Sequence, residues 1–308
     1  MHNSEGAVSR PTPRSGDTGT RSSLATLGRL NPEWRPWLDL VDLALEMVDD
    51  PVWSEAHLEL APSRAPMMPL LHGATISVDL QMAEGSIHEL LRRSAPHLAH
   101  DPVFLEYFDP YEIDVLALLQ AAVMRESEWF EAVVGESSLD LAGLHAVAQL
   151  ALWPLLLNSA RWVADQLSNG TTAGWSNGYC PICGAWPVIA ELRGLKKTRH
   201  LRCGSCSGDW TLPILHCPFC DEVDHAKLGG LVVDGEEEKR KIEVCHTCNG
   251  YIKTVATLGP LPATRMAVID LEMIEHEIAA LERGFHRPEG PGIAIELEIL
   301  PAKRGRSI

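Results

Sequence analysis

Eight cysteines lie between residues 180 and 248, in four pairs with two residues between partners: Cys180 and Cys183, Cys203 and Cys206, Cys217 and Cys220, Cys245 and Cys248. Two thiolates at that spacing grip one ion from a tight turn, and two such turns complete a tetrahedral four-sulfur shell of the zinc-ribbon or rubredoxin kind. The gaps between successive pairs are 19, 10 and 24 residues. Each longer gap has room for a hairpin that folds two turns together, whereas ten residues suit a connector. The expected ligand sets are therefore Cys180, Cys183, Cys203 and Cys206 for one metal, and Cys217, Cys220, Cys245 and Cys248 for the other, with an interleaved pairing still open. Thioredoxin-like redox chemistry calls for one reactive pair in a βαβ setting rather than four pairs in tandem. A disulfide framework belongs to an exported chain. Residues 1–27 are rich in Ser, Thr, Gly and Pro with scattered Arg, and contain no apolar stretch leading to a cleavage site.

The position after each second cysteine often needs a positive φ, which glycine supplies freely and asparagine tolerates. Gly184 and Asn249 sit there. Asp221 fits less well, and behind Cys206 the glycine, Gly208, comes one residue late, after Ser207. Pro181 and Pro218 preset φ inside their turns. His200, His216, His225 and His246 lie nearby, but eight thiolates already fill two shells, so these read as surface side chains. Modules this small draw little stability from a core, whereas a structural zinc site in a peptide contributes about 10–16 kcal/mol. The region is expected to unfold when stripped of metal.

The elements that must position the cysteines are short strands, expected at 200–202, 210–215, 227–233 and 241–244, with 234–239 as a charged hairpin tip. Upstream the pattern is helical. Trp37, Leu40, Val41, Ala44, Leu45 and Val48 recur at i, i+3, i+4 spacing from Pro36. Asp109, Pro110 and Glu112 predict a helix start ahead of Leu116, Leu119 and Val123. A further helix is expected from Leu139, with Pro154 kinking or ending it before 155–167 continues. Residues 168–178, rich in Gly, Asn, Ser and Thr, mark a boundary. Beyond the cysteines, Ala267, Leu271, Ile274, Ile278 and Leu281 repeat at helical spacing with Glu272, Glu275 and Glu282 outward and Gly284 as a stop.

The chain has 308 residues, enough for two packed units, and 45% hydrophobic with 22% charged residues is ordinary for a globular protein. The most apolar runs, 115–123 and 150–157, fall short of the about 20 residues that span a bilayer, so neither membrane insertion nor any location but the cytoplasm is expected. The expected fold class is α+β: a mainly α-helical N-terminal domain, two rubredoxin-like or zinc-ribbon four-cysteine modules, and a C-terminal helix. The expected limits are 1–27 for a disordered tail, 28–170 for the helical domain, 171–258 for the modules, and 259–308 for the closing helix and tail.

Zinc ribbons often read nucleic acid, and Arg193, Lys196, Lys197, Arg199 and Arg202 cluster near Trp186 and Trp210. A solvated hairpin explains the cluster better, because residues 180–253 carry ten basic and ten acidic side chains and the whole chain has a net charge of −16. Nucleic acid is thus not the expected partner. An enzyme needs a nucleophile, a paired acid and base, or a metal with an open position. The sequence presents none, and a shell of four sulfurs is closed.

The runs GYCPICGAWP at 178–187, LRCGSCSGDW at 201–210, HCPFC at 216–220 and EVCHTCNGYIK at 243–253 resemble the FdhE family of formate dehydrogenase accessory proteins. VIDLEMIEHEIAALERGFHR at 268–287 is similar to that family's closing helix, so the resemblance is close over roughly 175–287. It implies an α-helical domain packed on two rubredoxin-like sites, one in each cysteine set, with iron as their metal, where the spacing alone leaves iron or zinc open. It also implies a non-enzymatic cytoplasmic protein that binds the catalytic subunit of formate dehydrogenase, or a related molybdenum or tungsten enzyme, and assists its maturation. Trp210, Tyr251 and Lys253 fall on positions that recur in the family, while Ile214 stands where its members often carry a basic residue. The alternative reading from the ribbons alone is a nucleic-acid or protein-assembly module.

Overall fold

The computed structural model describes residues 18–302 apart from 64, 66, 100–102, 104–108, 136–138, 167–174 and 233–238. Its helical layer is built from α1 (Thr18–Leu30), α2 (Arg35–Val48), α3 (Pro51–Ser54), α4 (Leu80–Leu98), α5 (Val115–Met124), α6 (Ser127–Val134) and α7 (Leu141–Gln166). α2 buries Leu38, Leu40, Ala44, Leu45, Met47 and Val48, while Trp37, expected on that face, is exposed. α4 starts at Asp79, whose carboxylate accepts from the Met82 N–H, and buries Ala83, Ile87, Leu90, Leu91 and Leu98 along one stripe. α7 is buried all round through its middle, from Ala151 to Leu157, because α2, α3, α4, α5 and α6 all pack on it. By length and composition alone α7 would cross a bilayer, a feature hidden in a count of short apolar runs; here its apolar surface is the centre of the main core.

Two sheets complete the fold. β1 (His57–Glu59) pairs antiparallel with β2 (Ala74–Val78), and β2 pairs in parallel with β9 (Leu297–Pro301). The Gln120 amide of α5 holds the β9 backbone, donating to the Leu297 carbonyl and accepting from the Ile299 N–H, both at 2.8 Å. The second sheet contains β3 (Pro187–Arg193), β4 (Thr198–Cys203), β5 (Asp209–Thr211), β6 (Leu228–Leu231), β7 (Arg240–Cys245) and β8 (Tyr251–Thr257), in the order β5-β4-β3-β8-β7-β6. It is a tandem repeat: each module contributes a hairpin and a following strand, and the two halves join where β3 and β8 run parallel from Ile189↔Lys253 to Arg193↔Thr257. One face of the first half continues the core of the helical layer. The opposite face packs under α8 (Ala263–Glu272) and α9 (Ile274–Leu281) through Ile189, Ile242, Val244, Tyr251 and Val255.

Several expectations change. The tail expected at 1–27 is helical from Thr18, with Leu24 buried against α2, α7 and α8; residues 1–17 lie outside the described residues. The helix start at Asp109 serves only a single 3-10 turn, Pro110–Glu112, and Asp114 caps α5 five residues later by accepting from the Ala117 N–H at 3.0 Å. α7 begins at Leu141 and runs through Pro154 without ending. The closing helix breaks at Met273, which shifts its phase: Met266, Val268, Ile269, Met273 and Ala280 are buried, Ile278 and Leu281 half-exposed, and Glu272 pairs with Arg240 and Arg265 instead of facing water. The expected tail contains β9. The boundary at 168–178 and the tip at 234–239 fall largely outside the described residues.

The basic cluster is dismantled by the sheet. Glu191, fully buried on β3, binds Arg202 of β4 and accepts two hydrogen bonds of 2.9 Å from Arg193, which also pairs with Asp209. Arg199 is buried against Glu243 (2.9 Å) and the carbonyls of Pro213 and His216. Trp210 is buried in the main core. Only Lys196 and Lys197 of the five cations are exposed. Removing the carboxylate would leave the buried Arg202 guanidinium without an ion-pair partner, while Arg193 keeps Asp209, so Glu191→Ala is expected to lower stability by about 3–5 kcal/mol in urea unfolding.

Candidate metal centres

The four cysteine turns share one geometry. In each, the backbone N–H of the first cysteine donates to the carbonyl five residues on: Cys180 to Ala185, Cys203 to Gly208, Cys217 to Glu222 and Cys245 to Gly250, at 2.8–3.0 Å. In each, the residue after the second cysteine has a left-handed backbone: Gly184 at φ 77°, Ser207 at 58°, Asp221 at 60° and Asn249 at 55°. Ser207 and Asp221 were the weak members of that set in sequence; position within the repeat was the signal that residue type concealed. Gly208 and Gly250 are glycine for a different reason, since a Cβ there would sit 3.0 Å from a cysteine sulfur.

The turns meet in the expected pairs rather than interleaved. Cys180 Sγ lies 3.6 Å from Cys206 Sγ, and Cys183 Sγ 3.4 Å from Cys203 Sγ. In the second cluster Cys217 Sγ to Cys248 Sγ and Cys220 Sγ to Cys245 Sγ are both 3.7 Å, and within each cluster all four sulfurs lie within 4.8 Å of one another. A tetrahedral shell with metal–sulfur bonds of about 2.3 Å puts sulfurs about 3.8 Å apart, so both clusters fit a zinc or iron ion. Backbone N–H groups of Ile182, Ser205 and Gly250 point at sulfurs from 3.3–3.4 Å, the polarisation that a thiolate shell needs. Burial pushes the Cys180 and Cys217 thiols up, and Cys248 to about 11. Cys203 goes down in spite of its burial because the neighbouring thiols donate to it. A divalent cation offsets the desolvation that opposes the thiolates and releases their protons.

The clusters differ in exposure. The first is enclosed, with Cys180, Cys203 and Cys206 inaccessible to solvent, and it is stitched to the helical layer by Leu70 N–H to Pro181 carbonyl (2.8 Å) and Leu71 N–H to Ile182 carbonyl (2.9 Å). The second leaves Cys220 exposed and Cys248 half-buried. A row of edge-on rings, Trp175, Tyr179, Trp186 and Phe219, runs from the first turn of one module to the first turn of the other. The histidines stay outside both clusters: His200 bonds Asp209, His216 bonds Asp221, and His246 packs on Phe285. Tyr251 and Lys253 join a buried network behind the second module. Lys253 Nζ reaches Asp270 (3.0 Å) and Glu277 (2.5 Å), while Arg287 reaches Asp270 and the Tyr251 hydroxyl, each at 3.2 Å. This network ties β8 to α8 and α9.

Helical layer, tandem sheet and two four-sulfur clusters define an α+β protein with paired rubredoxin-like modules. No family model matches the chain. A stretch of 121 residues, 37% of this chain and 41% of the other, is 31% identical to an FdhE homolog of Aquifex aeolicus. A match over 77 residues, 24% of each chain, is 32% identical to FdhE of Escherichia coli. The chain therefore matches well under half the length of these relatives in sequence. The crystal structure of the FdhE protein from Pseudomonas aeruginosa aligns over 89% of this chain and 94% of that one, with a TM-score of 0.52 at 20% identity, so the fold is shared. Together these findings bear out the resemblance to the FdhE family carried by the four cysteine runs.

The difference in exposure gives an ordered outcome. Titrating a metal-loaded chain with a chelator is expected to remove one equivalent well before the other, with Cys220 and Cys248 alkylated first by mass spectrometry. Simultaneous loss, or first labelling at Cys180, would contradict it.

Proposed function

We propose that the chain is an accessory protein that binds the catalytic subunit of formate dehydrogenase and assists its maturation, with one zinc or iron ion held by Cys180, Cys183, Cys203 and Cys206 and a second by Cys217, Cys220, Cys245 and Cys248. The observation that carries this reading is the pair of closed four-sulfur shells inside a fold shared with an FdhE protein. Four thiolates leave no open coordination position, so the ions act by fixing the shape of the modules, and specificity lies in the surface they present. The same closure supports an accessory role in which the two metal centres take no substrate. The nucleic-acid alternative loses its support once Arg193, Arg199 and Arg202 are spent on buried carboxylates and carbonyls.

An anaerobic pull-down from cells making formate dehydrogenase tests the reading. The tagged chain is expected to retain the catalytic subunit and to contain two metal ions per chain by elemental analysis. A Cys217→Ser and Cys245→Ser double variant is expected to lose one ion and most of the retained subunit. Retention of nucleic acid in place of the subunit would overturn it.

A further inference from the structure

At the end of the sheet where β3 and β8 run side by side, two loops emerge together. The Gly194 N–H donates to the Thr257 carbonyl at 2.8 Å, and just beyond that bond stand Leu195, 98% exposed, and Leu258, 92% exposed. No other large apolar side chains among those described are so open to water. Lys196 and Lys197 complete the first loop, a tight turn closed by Lys197 N–H to Gly194 carbonyl (3.1 Å), and both are exposed without an ion pair among the described residues.

The support beneath this tip is rigid. Glu191 grips both loops at once: it holds Arg193 at the root of the first, and accepts from the Leu261 N–H (3.0 Å) and the Thr257 hydroxyl (3.4 Å) at the root of the second. Arg202 adds a hydrogen bond to the Leu261 carbonyl at 2.9 Å. A buried carboxylate with two guanidinium partners thus fixes the base of two loops whose tips carry unburied leucines. A loop backbone held in place before contact has little freedom left to lose on binding.

We propose that this tip is the element that enters the partner protein, with Leu195 and Leu258 received in an apolar pocket edged by carboxylates that meet Lys196 and Lys197. A protein fits better than a lipid surface or nucleic acid, because those call for clusters of four to eight basic side chains, whereas two lysines stand here on a chain of net charge −16. The identity of the partner rests on the function proposed above: the formate dehydrogenase catalytic subunit.

The test measures binding of the purified, metal-loaded chain to the purified catalytic subunit, for the wild type, L195S/L258S, K196E/K197E, and L30S as an exposed control on α1. The leucine pair lies outside every core, so metal content and melting temperature should stay at wild-type values while affinity falls at least about tenfold. The lysine pair should weaken binding and flatten its salt dependence. L30S should bind as wild type. Wild-type binding with equal affinity in L195S/L258S overturns the tip and leaves the function intact. Absence of wild-type binding overturns the function and the tip with it. Leucine-dependent retention on phosphatidylglycerol vesicles, with subunit affinity unchanged, assigns the tip to lipid and also overturns it.

Discussion

The parallel ladder between β3 and β8 is the constraint on which the rest of the molecule depends. Without it the two cysteine modules would be beads on a string, each with a hairpin and a third strand too small to bury much. With it, six strands form one sheet. One face of that sheet is long enough to continue the core around α7, and the other to receive α8 and α9. The ladder also sets the distance between the metal clusters and brings the loops after Arg193 and Thr257 together.

The two clusters have the same turns but different surroundings. The first lies between the sheet and the helical layer, and its sulfurs belong to the largest core. Loss of its ion would return protons to sulfurs such as Cys180 and leave crowded thiols in an apolar interior, yet the neighbouring side chains would still pack. The expectation of a small module that depends on metal for its core therefore suits the second cluster better, where Cys220 meets water. Behind that cluster the apolar packing is supplemented by the charges of Lys253, Asp270, Glu277 and Arg287, which hold α8 and α9 to β8.

Much of the site was legible because its grammar is local. A cysteine pair and the residue after it form a single turn, so spacing marked the turns and gap length predicted which of them meet in the two four-sulfur clusters. α2 was legible for the same reason, its apolar period lying within one helix. What escaped the sequence was settled at long range. Arg193, Arg199 and Arg202 looked like a surface patch because Asp209 and Glu243 lie on other strands, and the role of Glu191, only two residues from Arg193, shows only once the sheet buries it. The phase of α9 departs from the stripe begun by Ala267 and Leu271, which do pack on a core, because a break at Met273 turns Ile278 and Leu281 outward. β9 was invisible because a five-residue strand acquires meaning only beside β2, more than two hundred positions earlier.

That last pairing has a consequence for how the chain is made. β2 is synthesised more than two hundred residues before its parallel neighbour β9, whose backbone Gln120 holds. Both cysteine modules are complete in the growing chain before then. Contacts between distant segments form slowly because the intervening loop must close first. The helical layer, although it comes first in the sequence, therefore gains the strand that covers the edge of β2 only after both cysteine modules have been synthesised.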